Sequence, residues 1–248
     1  MVSSTSASIS RPGLTRTTAA TVGGHRLRVV PWQGKRHIAL VGPARIRRNP
    51  TAPEIARCLD SLDQRGVELA FTPALSPFEA EPFFQAGFEL HERLHLLACP
   101  LDGGTPRPTH RLRPGRPWDR NRVLDIDTRA FERFWQFDKF SLKEARQATP
   151  ASRFTVAVHH HRVVGYAVTG RAGRRGYLQR LAVDPDHAGG GIGTSLIHDG
   201  FRWLEGRNAD TVMVNTQETN GRALALYERI GFRRQREGLL VLRWGSPD

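Results

Sequence analysis

The segment LAVDPDHAGGGIGTSLI, residues 181–197, constrains the fold of this 248-residue chain more than any other. An apolar run ends at Asp184-Pro185, a glycine-rich stretch follows, and apolar residues then recur at helical spacing. This pattern predicts a strand, a loop and an amphipathic helix that begins within the loop. Glycines let the backbone approach a ligand closely, and the free N–H groups at a helix N-terminus attract anions. The segment therefore predicts a pyrophosphate site, with a plain flexible turn as the alternative.

The glycine pattern differs from two common phosphate-binding motifs. No Lys-Ser/Thr pair follows the last glycine, which excludes a P-loop, and the third glycine of the dinucleotide fingerprint is missing. Hydrophobic spacing predicts the order helix, helix, three strands, helix, strand, helix, strand in the second half of the chain. These predicted elements lie at 123–134, 141–148, 154–170 (a hairpin), 176–185, 191–205, 211–216, 221–230 and 239–244.

A second segment, VNTQETNGRALALYERIGFRR at 214–234, completes a recognisable pattern. A strand ending LAV-x-P, a Gly-x-Gly loop that opens a helix, and then Asn followed by Ala, LYE and GF together resemble the GCN5-related N-acetyltransferase (GNAT) superfamily, over about residues 109–244. The resemblance implies an α/β GNAT fold with a mixed central sheet, splayed strands and flanking helices, preceded by a smaller α/β region. NGRALALYERIGF is most similar to RimI-like enzymes, and a tandem, mycothiol synthase-like enzyme is the alternative within the superfamily.

The resemblance also implies where acetyl-CoA, the expected cosubstrate, would bind. It would lie between two splayed strands, and the backbone of Leu181, Ala182 and Val183 would hold its pantetheine arm. Asn220 would orient the arm and cap the next helix, and Tyr227 would protonate the departing thiolate. The alternative for Tyr227 is an aromatic residue packed in the core. The pyrophosphate would bind N–H groups of the loop, which comprises Gly189, Gly190, Gly191, Ile192, Gly193 and Thr194.

Several positions depart from the family pattern. Ala188 and Gly190 stand where the family usually has Gln or Arg and often a cation, so phosphate binding must depend more on backbone N–H groups. No general base is evident, because Tyr177 and Asn215 occupy two positions where related enzymes can carry Glu. Glu218 is the nearest carboxylate and is the candidate base, with a solvated loop charge as the alternative.

The composition of the chain predicts three parts. Residues 1–24 hold Ser, Thr, Gly, Ala and Arg without acidic residues, which predicts a disordered tail. Residues 100–117 concentrate Pro, Gly and Arg, as expected of an interdomain connection, and place a boundary near 105. We therefore expect a noncatalytic N-terminal α/β region over 25–105 and a GNAT domain over 106–248.

The N-terminal region also carries a faint repeat of the second motif. At an offset of 144 residues, TPALSPFEAEPFFQAGFELHERLHLL pairs Thr72 with Thr216, Gly87 with Gly231, Phe88 with Phe232 and Leu96 with Leu240. This predicts a degenerate second GNAT unit. Phe83 stands where Tyr227 would be, and a capping box of Thr51 and Glu54 replaces the glycine loop. Such a unit would lack the acid chemistry.

Charge and cysteine content limit location and partners. No apolar run has the length of a membrane span, and two cysteines are too few for a disulfide framework, so we expect a cytoplasmic protein without a membrane partner. The formal net charge of +13 attracts polyanions such as nucleic acid or phosphate-rich small molecules. His159, His160 and His161 alternate across a strand without a spaced carboxylate or thiol partner, which favours a hairpin tip over a metal site.

The sequence thus predicts an N-acetyltransferase that moves acetyl from acetyl-CoA to a primary amine, either a protein N-terminus or a small molecule. The acceptor, the acyl chain length and the oligomeric state are not determined by the sequence. One rival is an acyl-CoA sensor without turnover, because a base is missing. The other is a basic nucleic-acid-binding protein on a GNAT scaffold, because the first 50 residues are acid-free and contain nine Lys and Arg.

Overall fold

The computed structural model of the protein describes residues 27–44 and 49–245. The predicted tail, 1–24, lies outside the described residues. The described residues form two compact units: 27–44 and 49–93 together with 239–245, and Leu94–Gly238. The second unit thus begins at Leu94, whereas the sequence predicts a boundary near 105, and it ends at Gly238, whereas the predicted domain continues to 248. Residues 94–100 pair with a strand of the second unit, and the last strand of the chain pairs with a strand of the first.

The first unit is a small mixed sheet covered by two helices. Its sheet order is β1–β2–β3–β11, with β2 and β3 parallel and the other pairs antiparallel. Capping boxes start both helices: Thr51 N–H donates to Glu54 at 2.7 Å, and Ser76 N–H donates to Glu79 at 2.9 Å. The elements are β1 (Leu27–Trp32), β2 (Lys35–Pro43), α1 (Ala52–Asp63), β3 (Leu69–Phe71), α2 (Pro77–Gln85), the start of β4 (Glu89–Pro100) and β11 (Leu239–Trp244).

The second unit has the central mixed sheet and flanking helices that the sequence predicts. Its strand order is β4–β9–β8–β7–β6–β5, in which β8 and β9 are parallel and the other neighbours antiparallel. The remaining elements are β5 (Leu112–Pro114), α3 (Arg120–Ala130), α4 (Lys139–Gln147), β6 (Ala151–His159), β7 (Arg162–Ala172), β8 (Arg175–Val183), α5 (Ile192–Glu205), β9 (Thr211–Gln217), α6 (Gly221–Ile230) and β10 (Arg233–Arg234), which pairs with β4.

Details of this unit differ from the predicted elements where polar contacts override hydrophobic spacing. The proline-rich stretch 100–117 contains β5, which pairs with β6. The first helix ends at Ala130 and not near 134, and the second starts at Lys139, because Asp138 caps it by accepting hydrogen bonds from two backbone N–H groups. His160 and His161 form the exposed turn between β6 and β7, as the sequence predicts.

Two apolar clusters fill the two faces of the second sheet. One lies under α5 and α6 and includes Leu196, Phe201 and Tyr227, while the other lies under α3 and α4 and includes Val123 and Ile126. Burial of such side chains is the main stabilising contribution of the fold. Among the helices of the described residues, none is long and apolar enough to cross a membrane.

Candidate active site

The parallel strands β8 and β9 separate partway along their length. Their pairing joins Arg175–Tyr177 to Thr211–Met213 and extends no further. In the same region the register of β7 with β8 shifts, so that Gln179 has no partner between Leu178 and Arg180. A bulge of this kind bends the strand and re-aims its residues. The carboxyl-terminal part of β8 therefore diverges from β9 and leaves a cleft at the edge of both strands.

Leu181, Ala182 and Val183 lie on this diverging part of β8. Ala182 is buried in the cluster under α3 and α4, whereas Leu181 and Val183 pack against the cluster under α5 and α6. The side chains thus anchor the strand on both faces of the sheet. That the backbone of these residues holds a pantetheine arm stays a prediction from the sequence.

The glycine loop leads directly into α5. Gly189 and Gly191 have φ angles of 83° and 85°, a conformation that favours glycine, and Gly191 is the N-cap of the helix. Ile192 is buried and fixes the first turn, while Gly190 is exposed. Residues 187–197 contain no carboxylate. Backbone N–H groups at a helix N-terminus without a nearby acidic side chain suit an anionic ligand.

Asn220 and Tyr227 lie on α6. Asn220 is the N-cap, and its Oδ1 accepts a hydrogen bond from Ala223 N–H at 3.0 Å. Tyr227 is buried, and its ring meets Phe232 edge-on with centroids 5.5 Å apart. Burial raises the pKa of Tyr227 to about 12, and the positive charge of Arg180 acts in the opposite direction. The phenol is therefore protonated at neutral pH.

Glu218 lies in the exposed turn that follows β9. Within the described part of the chain it has no hydrogen bond or ion pair, so the structure does not hold it in one direction. Asn215 is exposed on β9 and Tyr177 is half-buried on β8. The base remains a prediction from the sequence.

The comparisons with known proteins agree with this geometry. Residues 120–232 match the Acetyltransferase (GNAT) family. We call residues 120–232, the part of the chain that this family model matches, the GNAT domain. A tandem GNAT protein from the clavulanic acid biosynthesis pathway shares the fold, with a TM-score of 0.64 at 16% identity over 90% of this chain and 79% of that one.

Sequence relatives extend beyond the GNAT domain. The chain is 34% identical over 136 residues to a mycothiol acetyltransferase from Saccharomonospora viridis, a match that covers 48% of this chain and 43% of the relative. It is 28% identical over 205 residues to a mycothiol acetyltransferase from Amycolatopsis mediterranei, over 72% of this chain and 67% of the relative. The longer match reaches into the first unit. The chain spans about half the length of such curated relatives.

The connecting segment before the GNAT domain contributes side chains to the loop, which sequence reasoning missed. Ser195 Oγ, in the first turn of α5, lies 3.2 Å from Thr109 N and 2.8 Å from His110 Nδ1. A Cβ added at Gly191 would lie 3.4 Å from His110 Cε1. The proline-rich composition of the segment suggested a plain linker and gave no signal of this contact.

A buried polar cluster between β8 and α3 was also missed. Arg180 and Asp127 are 8% and 0% exposed, and they form two hydrogen bonds of 2.7 and 2.8 Å. Tyr166 donates its hydroxyl to the same carboxylate, and burial together with Asp127 raises the pKa of Tyr166 well above its usual value. The only signal of this cluster in the sequence is one charged residue on an otherwise apolar face of each element: Asp127 in α3 and Arg180 in β8.

A second ion-pair network connects α3 to the end of β8. Asp184 is 1% exposed and binds Arg122 and Arg129, the latter at 2.7 Å; Arg129 also binds Asp186 at 2.9 Å. Burial alone would raise the pKa of Asp184, but the backbone N–H of Asp186 and the two guanidinium groups hold it below its usual value. The network fixes the start of the glycine loop of the GNAT domain.

Proposed function

We propose that the GNAT domain transfers acetyl from acetyl-CoA to a primary amine of a small molecule by direct attack. The observation that carries this proposal is the separation of β8 from β9, with the glycine loop at the end of β8 and Tyr227 on the helix that follows β9. A thioester bound in that cleft would have an anion site at one end and a protonated phenol near the other. The anion site would bind the phosphates of the thioester's carrier, and the phenol would protonate the thiolate that leaves.

The donor half of the site would be formed largely by backbone. Leu181, Ala182 and Val183 would hold the pantetheine arm, and N–H groups over 189–194 would bind the pyrophosphate. Asn220 is already occupied as a helix cap, so it would position the start of α6 beside the arm. Acetyl-CoA supplies the activated carbonyl.

Tyr227 would act as the general acid. The amine nitrogen attacks the carbonyl carbon, the C–S bond breaks, and the thiolate takes the proton of Tyr227. The attacking nitrogen loses its proton to a base or to solvent, and the products are an amide and CoA. Glu218 is the candidate base; its exposed position gives it access to solvent and to an acceptor that enters from outside.

The acceptor we favour is a small molecule. Relatives that match beyond the GNAT domain carry the name mycothiol acetyltransferase, which favours a small-molecule amine over a protein N-terminus. The connection between α3 and α4 holds four half-buried aromatic residues that would line a pocket for such an acceptor: Phe131, Phe134, Trp135 and Phe137. Free cysteines at 58 and 99 are consistent with action in the cytoplasm.

The test is release of CoA thiol from acetyl-CoA with a panel of small amines and N-terminal peptides. We expect turnover with small amines and loss of rate in Tyr227→Phe. Binding of acetyl-CoA with no turnover on any amine would favour a sensor, and salt-sensitive nucleic-acid binding without acetyl-CoA binding would favour the basic scaffold. If Glu218 is the base, Glu218→Gln loses rate at neutral pH and recovers as rising pH deprotonates the amine.

A further inference from the structure

The connecting segment, residues 101–111, lies along α5 and is fixed near both ends of that helix. Near the carboxyl-terminal end of α5, the hydroxyl of Thr105 donates a hydrogen bond to Glu205. In the first turn, Ser195 Oγ accepts a hydrogen bond from Thr109 N–H at 3.2 Å, and Ser195 is buried. The segment therefore holds its last residues beside the start of α5.

His110 is the residue that these contacts place against the glycine loop. Its Nδ1 lies 2.8 Å from Ser195 Oγ, and its Cε1 lies 3.4 Å from the position of a Cβ built on Gly191. Since Cε1 is bonded to both ring nitrogens, Nε2 is one bond away from the ring atom that is nearest to the loop. Among the described residues, none hydrogen-bonds to Nε2. The ring thus has an unpaired nitrogen next to the N-cap of α5.

The contacts of Nδ1 determine which ring nitrogen of His110 carries the proton. Ser195 Oγ already accepts from Thr109 N–H, so its own proton is available to another acceptor, and we assign His110 Nδ1 to that role. With Nδ1 as an acceptor, a neutral imidazole carries its proton on Nε2, and the doubly protonated ring also has a proton there. In both forms Nε2 is a hydrogen-bond donor, which suits an anionic ligand.

The glycine loop has no cationic Lys or Arg side chain of its own. Residues 187–197 contain neither Lys nor Arg, and Ala188 and Gly190 have no polar side-chain atom. Backbone N–H groups at the start of a helix carry only partial positive charges. In contrast, residues 103–118 contain four Arg and no carboxylate. His110 is therefore held beside the loop by a positively charged part of the chain.

We propose that His110 is a phosphate-binding residue of the donor site, whose Nε2–H donates to the pyrophosphate of acetyl-CoA bound by the N–H groups of residues 189–194. This rests on the proposed function. Ser195 and Thr109 position the imidazole, and His110 supplies a hydrogen bond to a charged acceptor that the side chains at 188 and 190 cannot supply. His110 binds the cosubstrate and takes no part in proton transfer to the thiolate. The donor site is thus completed by a residue that precedes the GNAT domain.

Two variants at position 110 separate a phosphate contact from a structural one. The amide of His110→Asn reaches about as far as Nδ1, so it keeps the contact with Ser195 and has no group at the position of Nε2. The longer amide of His110→Gln reaches about as far as Nε2 and donates there. A phosphate contact therefore gives His110→Gln the higher affinity of the two, whereas a structural tie to Ser195 gives it to His110→Asn.

His198→Asn is the matched control, because it makes the same exchange elsewhere on α5. His198 is half-buried and lies seven residues after Gly191, which is about 10 Å along the helix axis. This variant measures what the loss of any histidine on the helix does to ligand affinity.

Calorimetry with CoA and with dephospho-CoA, which keeps the pyrophosphate and lacks the 3′-phosphate, tests the contact. We expect His110→Asn to bind both ligands about tenfold more weakly than wild type, the effect of one hydrogen bond to a charged group. His110→Gln should recover part of the loss, and His198→Asn should match wild type. Equal affinity in wild type and His110→Asn would overturn the proposal, as would a larger loss in His110→Gln. A loss confined to CoA would overturn the assignment to the pyrophosphate.

Turnover provides the second readout. In His110→Asn we expect the KM for acetyl-CoA to rise by about tenfold with kcat nearly unchanged, because the phosphates are bound equally before and during acyl transfer. A fall in kcat at unchanged KM would contradict a binding role. If wild type binds CoA and acetylates no amine, the proposed function fails, while the calorimetry still decides whether His110 binds the pyrophosphate.

Discussion

The segments 72–88 and 216–232 are built in the same way in the two units of the molecule. Their helices, Pro77–Gln85 and Gly221–Ile230, begin 144 residues apart. Each has a side-chain N-cap: Ser76 Oγ accepts from Glu79 N–H at 3.3 Å, and Asn220 Oδ1 accepts from Ala223 N–H at 3.0 Å. Each helix is followed by a glycine of positive φ, 90° at Gly87 and 110° at Gly231.

The aromatic pairs match as well. The rings of Phe83 and Phe88 have centroids 5.3 Å apart, and those of Tyr227 and Phe232 lie 5.5 Å apart. All four are buried. The two segments therefore share the features that form a helix and end it, and at the matched ring they differ by one phenol oxygen. The tandem GNAT neighbour shares the fold over 90% of this chain, and a degenerate GNAT unit in the first unit stays a prediction from the sequence.

The helices that precede these segments differ much more. In α1 a capping box of Thr51 and Glu54 starts the helix, whereas α5 starts at a glycine in the left-handed region. A capping box uses the side chain of the protein itself to satisfy the free N–H groups. A glycine start leaves them for a ligand. The comparison teaches that the described residues of the first unit repeat the packing, but have neither a glycine helix start nor a phenol at the matched ring.

The largest expected difference between the two units comes from a negative charge placed at the start of α5 or of α1. Gly191→Asp adds a Cβ at a left-handed residue and a negative charge beside the proposed pyrophosphate site. We expect the affinity for acetyl-CoA to fall by about a hundredfold or more, as measured by calorimetry. Thr51→Asp is the control, since Asp is an equally good N-cap, and it should leave affinity unchanged. Equal affinity in Gly191→Asp would show that the donor site lies elsewhere.

The next largest effect is expected from exchanging the matched rings of the two segments, Tyr227 and Phe83. Tyr227→Phe keeps the packing against Phe232 and removes the proton donor, so we expect kcat to fall by roughly ten- to a thousandfold with acetyl-CoA affinity nearly intact. The thiolate is a fair leaving group, so the loss is smaller than for a nucleophile. Phe83→Tyr should leave kcat unchanged. Wild-type turnover in Tyr227→Phe, with chemistry rate-limiting, would make solvent the proton source.

Sequence patterns predicted loops, caps and helix boundaries well, and they predicted contacts between distant residues poorly. The glycine loop, the Asn220 cap and the α6 boundaries follow from residues close in the chain, and the structure confirms that cap and those boundaries. The contact of Arg180 with Asp127 joins residues 53 positions apart, and that of His110 with Ser195 joins residues 85 apart. Such contacts depend on how strands and helices pack, which hydrophobic periodicity does not encode.

The edges of the second unit were missed for the same reason. LLVLRW was correctly predicted as a strand, Leu239–Trp244, but it pairs with β3 of the first unit and lies between β3 and β4 in the sheet order. An apolar strand has no preferred partner until register and turn geometry select one. The order of elements was therefore predictable, and the unit to which the last strand belongs was not.

Removing the N-cap side chains tests whether the two helices depend equally on the hydrogen bond between the cap and the first turn. Asn220→Ala and Ser76→Ala each leave a helix N–H without its side-chain acceptor. We expect each to lower the free energy of unfolding by about 1 kcal/mol, measured by urea denaturation. A much larger effect of Asn220→Ala on the KM for acetyl-CoA than on stability would add a binding role that Ser76 lacks.

Alkaline pH has the smallest and most selective expected effect, since only one of the two matched rings, that of Tyr227, carries an ionisable group. Burial raises the folded-state pKa of Tyr227 from its ordinary value of 10.0 to about 12. The folded state thus holds this proton more tightly than the unfolded state. The associated stability is fully present below the unfolded pKa and is lost as pH rises from about 10 toward 12. Phe83 has no proton to lose.

We therefore expect the stability difference between wild type and Tyr227→Phe to shift against the wild type by about 0.8 kcal/mol between neutral pH and about pH 10.5. All other ionisable groups are common to both proteins, so their effects cancel in this difference. Phe83→Leu, which perturbs the matching ring pair, should give the same loss of stability at both pH values. Urea unfolding at the two pH values measures all three proteins. A pH-independent difference for Tyr227→Phe would mean that its phenol is solvated in the folded state, and the buried acid assigned to the second unit would then be wrong.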